Sequence, residues 1–135
     1  MMKYKLFCAI NSITSLVLGV SIYLFLRKDT YLHIWVNRFA PLHDGSCFSF
    51  FGADFLRYYF PDYLWGYSLC FALCCFIPPK KGRLEYPAVI TALLGCGLEL
   101  LQAFGWIRGT GDVLDGLMYL TAGLTVAVIN KMKTR

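Results

Sequence analysis

The chain has 135 residues, of which 58% are hydrophobic and only 16% charged, with a mean hydropathy of +0.56. Soluble domains carry roughly 25% charged residues, so this balance excludes an ordinary water-soluble domain and points to a bilayer. The net charge of +5 does not mark a nucleic-acid binder, because the basic residues stand at the ends of apolar segments and not on one patch. That placement suits retention on the cytoplasmic side and contact with anionic lipid.

Leu6 to Leu26 is apolar apart from Asn11 and a few hydroxyls, with Lys3 and Lys5 before it and Arg27 and Lys28 after it. As a helix it rises about 31 Å, enough for the hydrocarbon core. A cleaved signal peptide has a shorter apolar region of roughly 7–15 residues and a small-residue cleavage site. The segment shows neither and is expected to be an uncleaved first span. Asp29 to Phe60 is the longest non-spanning part. There Leu32, Trp35, Val36 and Phe39 share a helical face, which suits a helix lying among headgroups. Phe48 to Phe60, aromatic and carrying Asp54 and Arg57, reads as a second interfacial or re-entrant piece. His33 and His43 have no ligand-like spacing and are read as interfacial.

Tyr59 to Ile77 is the second expected span, with Pro61 near its start, where proline costs least. Asp62, Gly66, Cys70 and Cys74 recur every four residues, and small residues on one stripe let helices approach closely in lipid. Pro78 and Pro79 end it, before Lys80, Lys81 and Arg83. Tyr86 to Trp106 is the third. Ala92, Gly95, Cys96, Glu99, Gln102 and Ala103 share one of its faces, so Glu99 and Gln102 are expected to turn inward. A central acid costs about 2.5–3.5 kcal/mol on the insertion scale, and each Leu, Ile, Phe or Val returns about 0.3–0.6. The eight such residues of this span roughly cancel Glu99, which makes the span dependent on its neighbours. Val113 to Ile129 is the fourth, with Asp112, Asp115, Tyr119, Gly123 and Val126 on one stripe and a basic tail behind it. The expectation is a single all-α membrane domain over residues 1–135: a four-helix bundle with interfacial or re-entrant helices in its first long loop.

Of the six cysteines, only Cys47 falls in a loop, and no C-x-x-C pair occurs. They read as small buried hydrophobes, with neither a zinc site nor a disulfide framework indicated. No metal or other cofactor is expected.

With four spans, the two ends share a side with the loop containing Lys80, Lys81 and Arg83. That side collects eight basic residues against five on the other. The positive-inside rule then puts both termini in the cytoplasm. Asp62, Glu99, Gln102, Arg108, Asp112 and Asp115 all come out at the opposite, outer surface. Ionisable groups inside spans face a bundle interior or a wet cavity and mark functional sites. The inner halves of the last three spans hold no acid on this reading.

Glu99 and Gln102, three apart, are neighbours on a helix surface and suit a general base or a clamp on a polar headgroup. Alternatively they tie spans together through Arg108, Asp112 or Asp115. Arg108 suits bidentate grip of a phosphate or carboxylate, or pairing with Asp112. Asp112 also suits a helix cap, and Asp62 a first-turn residue. Asp115, one turn deeper on the Tyr119 face, is the better site candidate. D-V-L-D-G at 112–116 opens like the metal motif of CDP-alcohol phosphotransferases. That motif needs Ala-Arg three residues past the glycine and two further aspartates, and no acid follows Asp115 here.

E-L-L-Q at 99–102, Arg108, and G-D-V-L-D at 111–115 resemble the signature of the VanZ-like membrane protein family. Tyr59 to Leu69, YFPDYLWGYSL, also resembles the second-span opening of short VanZ-like proteins of Gram-positive bacteria. The resemblance covers Tyr59 to Gly123. Many members carry asparagine where Tyr119 stands; if that asparagine bonds to the carboxylates, the tyrosine hydroxyl would have to do so here, or the site differs. The founding member is linked to low-level teicoplanin resistance. The resemblance therefore implies a cell-envelope role, with membrane lipids, a lipid-linked cell-wall precursor or a glycopeptide as partner and no nucleic acid. Binding such a ligand, acting as an enzyme on a lipid headgroup, proton-coupled transport and a structural role in a larger complex all stand as alternatives at this point.

The orientation predicts that a cysteine placed at position 99 reacts with reagents from the cell exterior. Cysteine-accessibility labelling checks this, and reactivity only from the interior overturns it.

Overall fold

A computed structural model of the chain describes residues 2–26, 31–39, 52–78, 85–109 and 111–133. Every regular element among them is a helix: α1 (Met2–Leu26), α2 (Tyr31–Phe39), α3 (Ala53–Tyr58), α4 (Phe60–Phe76), α5 (Tyr86–Ala103) and α6 (Val113–Lys133). Three of them, α1, α5 and α6, are long and apolar enough to cross a membrane. The fourth long helix, α4, has 17 residues and is not one of these three. Cys47 and His43 lie outside the described residues, as do Lys80, Lys81 and Arg83.

The helix expected to reach Trp106 stops at Ala103. Gly105 takes a φ of +72° there, a conformation that side chains with a Cβ disfavour. Its N–H donates to the Gln102 carbonyl and the Trp106 N–H to the Leu101 carbonyl, both at 2.9 Å. This pair of bonds satisfies the last carbonyls of the helix and turns the chain out of it.

The four long helices alternate in direction, as their contacts show. Between α1 and α4, Gly19 lies under Trp65, Ser68 meets Ser12, and the Cys75 thiol faces the Lys5 carbonyl. Helices α4 and α6 run parallel, with Gly66 beside Tyr119 and Cys74 beside Asn130. Helices α5 and α6 run antiparallel, with Ala88 against Gly123 and Cys96 against Gly116. Both termini therefore lie at one end of the bundle, where the Tyr4 hydroxyl donates to Asn130 Oδ1 at 2.9 Å and Lys133 Nζ sits over the Phe7 ring.

Helix α4 is the hub. It packs against α1, α3, α5 and α6, whereas α1 reaches the other long helices mainly through it. Its buried positions include Gly66, Cys70 and Cys74, the stripe expected to admit a neighbour. Gly66 faces the Tyr119 ring and Ala122 of α6, and Gly95 of α5 lies against the same ring. Between helices in lipid, such close packing and hydrogen bonds replace the hydrophobic driving force. Ser68 Oγ donates to the Ser12 carbonyl at 2.8 Å, Tyr67 to Asn11 Oδ1 at 3.1 Å, and Tyr63 to Thr125 Oγ1 at 3.2 Å. Cys8, Cys70 and Cys74 are fully buried with Phe71 and Val126 toward the terminal end, and Cys75 and Cys96 are half-buried. Cys8, Cys70, Cys74, Cys75 and Cys96 are all free thiols. The outer face of α1, with Leu6, Ile10, Ile13 and Val17, is exposed.

A Cβ at Gly95 would overlap the Tyr119 ring, whereas nothing lies within 4 Å of one at Gly97. Gly95→Ala is expected to destabilise the bundle by about 1–3 kcal/mol through overpacking. Gly97→Ala should be neutral or stabilising by up to about 1 kcal/mol, the helix preference of alanine. Thermal melting of the two variants in mild detergent separates them.

Candidate functional site

The end of the bundle opposite the termini is built from the start of α4, the end of α5 and the start of α6. Glu99 stands in the last two turns of α5, and its Oε2 accepts the Asp112 N–H at 3.1 Å. This bond holds the connection to α6 against the helix it has just left. The approach is tight. A Cβ on Gly111 would come within 2.5 Å of the Ala103 nitrogen and 2.6 Å of the Glu99 carbonyl oxygen. Only a residue without a side chain fits there.

Asp112 caps α6. Its Oδ1 accepts the Leu114 N–H at 2.9 Å, which satisfies one of the orphan donors of the first turn. Asp115 follows inside that turn, beside the positive end of the helix dipole. One turn deeper, Tyr119 is lodged between Gly66 and Gly95, and its hydroxyl points at Asp62 Oδ1 across 3.5 Å. That is the outer limit of a hydrogen bond. The Glu99 and Asp115 carboxylates act on the same hydroxyl through space. Tyr59, in the turn between α3 and α4, stands close enough to Asp112 and Asp115 for their charges to act on its phenol. Asp62, Glu99, Asp112 and Asp115 thus meet at one end, interleaved with two phenols.

Two expected members do not join them. The Gln102 amide packs over Gly109, which takes a φ of +146°, and so lies beside the turn instead of beside Glu99. Arg108 is exposed and makes no ion pair with Asp112 among the described residues. The reason is local. The chain leaves α5 at Ala103, and Arg108 sits in the loose turn beyond, while the Asp112 carboxylate is engaged by its own helix.

Tyr59 went unrecognised in the sequence because an aromatic before Pro61 also suits a headgroup boundary. A second polar group lies at the terminal end. Asn130, buried in α6, accepts from Tyr4 and donates to the Cys74 thiol at 3.4 Å. Glu85, at the mouth of α5, belongs to this group. Burial raises its carboxyl above the ordinary range, and a hydrogen bond with Asn130 opposes the rise. The halves of α4, α5 and α6 toward the terminal end hold no acid, and Glu85 stands one residue outside α5.

Between α5 and α6 lies an open groove of about 280 Å³ whose surface is almost entirely apolar. Glu99 and Asp112 are among the residues around it. Leu100, Val113, Leu117 and Leu120 form its walls, with Cys96 among them. Among the described residues, no three His, Cys, Asp or Glu side chains are grouped to hold a metal ion.

Glu99→Ala leaves the Asp112 N–H without its acceptor and is expected to cost about 1–3 kcal/mol, whereas Glu99→Gln keeps an acceptor and costs less. Asp112→Ala should cost about 1 kcal/mol as a lost cap, and Arg108→Ala nothing measurable. Thermal melting in mild detergent gives the ranking, and an Arg108→Ala loss equal to that of Asp112→Ala would contradict this geometry.

Comparison of the chain with protein-family models, with curated proteins and with solved structures finds no match.

Proposed function

We propose that the chain is a four-span, VanZ-like membrane protein of the cell envelope that holds a lipid at the outer leaflet, between α5 and α6. The observation that carries this is the groove, whose almost entirely apolar walls suit an acyl chain. The alternating directions of α1, α4, α5 and α6 support four crossings. At 17 residues, α4 falls at the short end of the range that spans a hydrocarbon core. In this reading α2 and α3 lie in the headgroup region, in keeping with the exposed Ile34, Trp35 and Phe39 on α2. The likeness of residues 99–115 to the VanZ-like signature supports the envelope assignment, and the excess of basic residues at the terminal end supports cytoplasmic termini.

Size separates the candidate ligands. Sites for drug-sized molecules enclose about 300–1,000 Å³, and this groove offers about 280 Å³ with one side open. That is room for a length of acyl chain and not for the body of a glycopeptide. Any effect on teicoplanin susceptibility would then run through a lipid or a lipid-linked precursor and not through capture of the antibiotic. Catalysis ranks lower, because Glu99 and Asp112 each commit an oxygen to a backbone N–H.

Lipid analysis of protein purified in mild detergent tests the reading. One phospholipid or lipid-linked precursor per chain, enriched over the bulk membrane, is expected, and Leu117→Trp should strip it by filling the groove. Recovery of bulk lipid alone, in the same amount with either form, overturns the proposal.

A further inference from the structure

Glu85 opens α5 without capping it. Its carbonyl accepts the Val89 N–H at 3.1 Å, but its side chain makes no cap bond to the free N–H groups of the first turn. An acid at that position ordinarily uses those donors and the positive end of the helix dipole. Here the carboxyl turns into the bundle and meets the Asn130 amide of α6. Its Oε2 is closed off from solvent and has no hydrogen-bond partner among the described residues. Glu85 also stands near enough to Cys70 and Cys74 of α4 for its charge to act on both thiols.

Asn130 joins the ends of all four long helices. Its Oδ1 accepts from the Tyr4 hydroxyl of α1, and its amide donates to the Cys74 thiol of α4 and engages Glu85 at the mouth of α5. The amide is complete, and the carboxyl joined to it is not. A carboxylate accepts at both oxygens and is well held only by several donors. A carboxylic acid carries no charge, and an enclosed acid without partners takes up a proton to avoid the cost of a buried charge. Burial accordingly raises the Glu85 carboxyl, against the Asn130 bond. The titratable groups around this network are Tyr4 and Cys8 of α1 and Cys70 and Cys74 of α4. The charged groups at the end of α6 are Lys131 and Lys133, the latter lying over the Phe7 ring. Tyr86, next to Glu85, is exposed.

We infer that Glu85 is a proton-binding site that fastens the start of α5 to Asn130 while protonated and releases it when the proton passes to water at the terminal end. Once ionised, Oε2 needs donors that only water supplies, and the side chain moves out to meet them. Asn130 keeps its bonds to Tyr4 and Cys74, so the release is confined to the first turn of α5. Ala88 in that turn packs against Gly123 of α6, and loosening the turn therefore loosens the α5–α6 contact. On the orientation proposed above, the water that takes the proton is cytoplasmic. For an acid raised on folding, stability is full below the ordinary glutamate value and is lost as pH rises through the folded one.

Infrared titration of the purified full chain in mild detergent observes the proton directly. A carbonyl band of a protonated carboxyl, removed by Glu85→Gln, is expected. Its midpoint of loss should lie above about 4.3, the ordinary glutamate value. Asn130→Ala takes away the donor that favours the charged form and should move that midpoint further up, which gives an independent check should Glu85→Gln fail to fold. Hydrogen exchange reads the release at the Val89 N–H, which bonds to the Glu85 carbonyl. Corrected for the intrinsic rate, its protection should fall at least about threefold as pH rises through the same transition. In Glu85→Gln it should stay constant. A midpoint at or below the ordinary value, or no band assignable to Glu85, overturns the proton site. A midpoint that Asn130→Ala leaves in place overturns the contact with Asn130, and unchanged protection at Val89 overturns the release.

Discussion

The Tyr119 ring, held between Gly66 of α4 and Gly95 of α5, sets the distances among the three helices that build the site. A ring fits between the helices because neither facing residue carries a side chain. Once it is seated, its hydroxyl lies near Asp62, and the start of α6 stands beside the end of α5. The Glu99 to Asp112 bond then closes the turn. Packing of an uncharged ring thus decides where four acids meet. In lipid this order is the expected one, since close contact between helices, and not expulsion of water, drives their association.

The two ends of the bundle treat polar groups differently. Toward the terminal end, fully buried thiols and a buried asparagine sit in a packed core with Phe71 and Val126, tied by Tyr4. A satisfied polar network of that kind rigidifies its surroundings. At the other end the carboxylates are half-buried, and backbone N–H groups hold Glu99 and Asp112. These two also stand among the residues around the groove. An acid at depth is costly, and here the cost is offset at a helix start, where a negative charge also meets the dipole. The closed end gives the bundle its rigidity.

Arg108 shows how a motif read along the chain can mislead. Four residues before Asp112, it looks like that residue's natural partner. The Gly105 turn carries it out of the bundle instead, and the aspartate caps its own helix. Gln102 parts from Glu99 for a similar reason, since the Gly109 bend passes beneath its amide. In each case a local backbone requirement, carried by a glycine, overrode a pairing that charge or spacing alone suggested.

The helical class, the positions of the long apolar segments and the gathering of Asp62, Glu99, Asp112 and Asp115 at one end were all legible in the sequence, because apolar length and alternation of direction follow from composition and order. The stripe of Gly66, Cys70 and Cys74 was legible too, since small residues four apart admit a neighbour whichever helix it is. Which neighbour, and at what rotation, was not. In an aqueous protein an apolar face identifies the inside, but a helix in lipid is apolar toward its partners and toward the acyl chains alike. The seat of Tyr119, the engagement of Glu99 by a backbone N–H, the approach of Tyr59 and Glu85 to their polar groups and the groove beside Leu117 depend on that rotation, and only tertiary packing decided them.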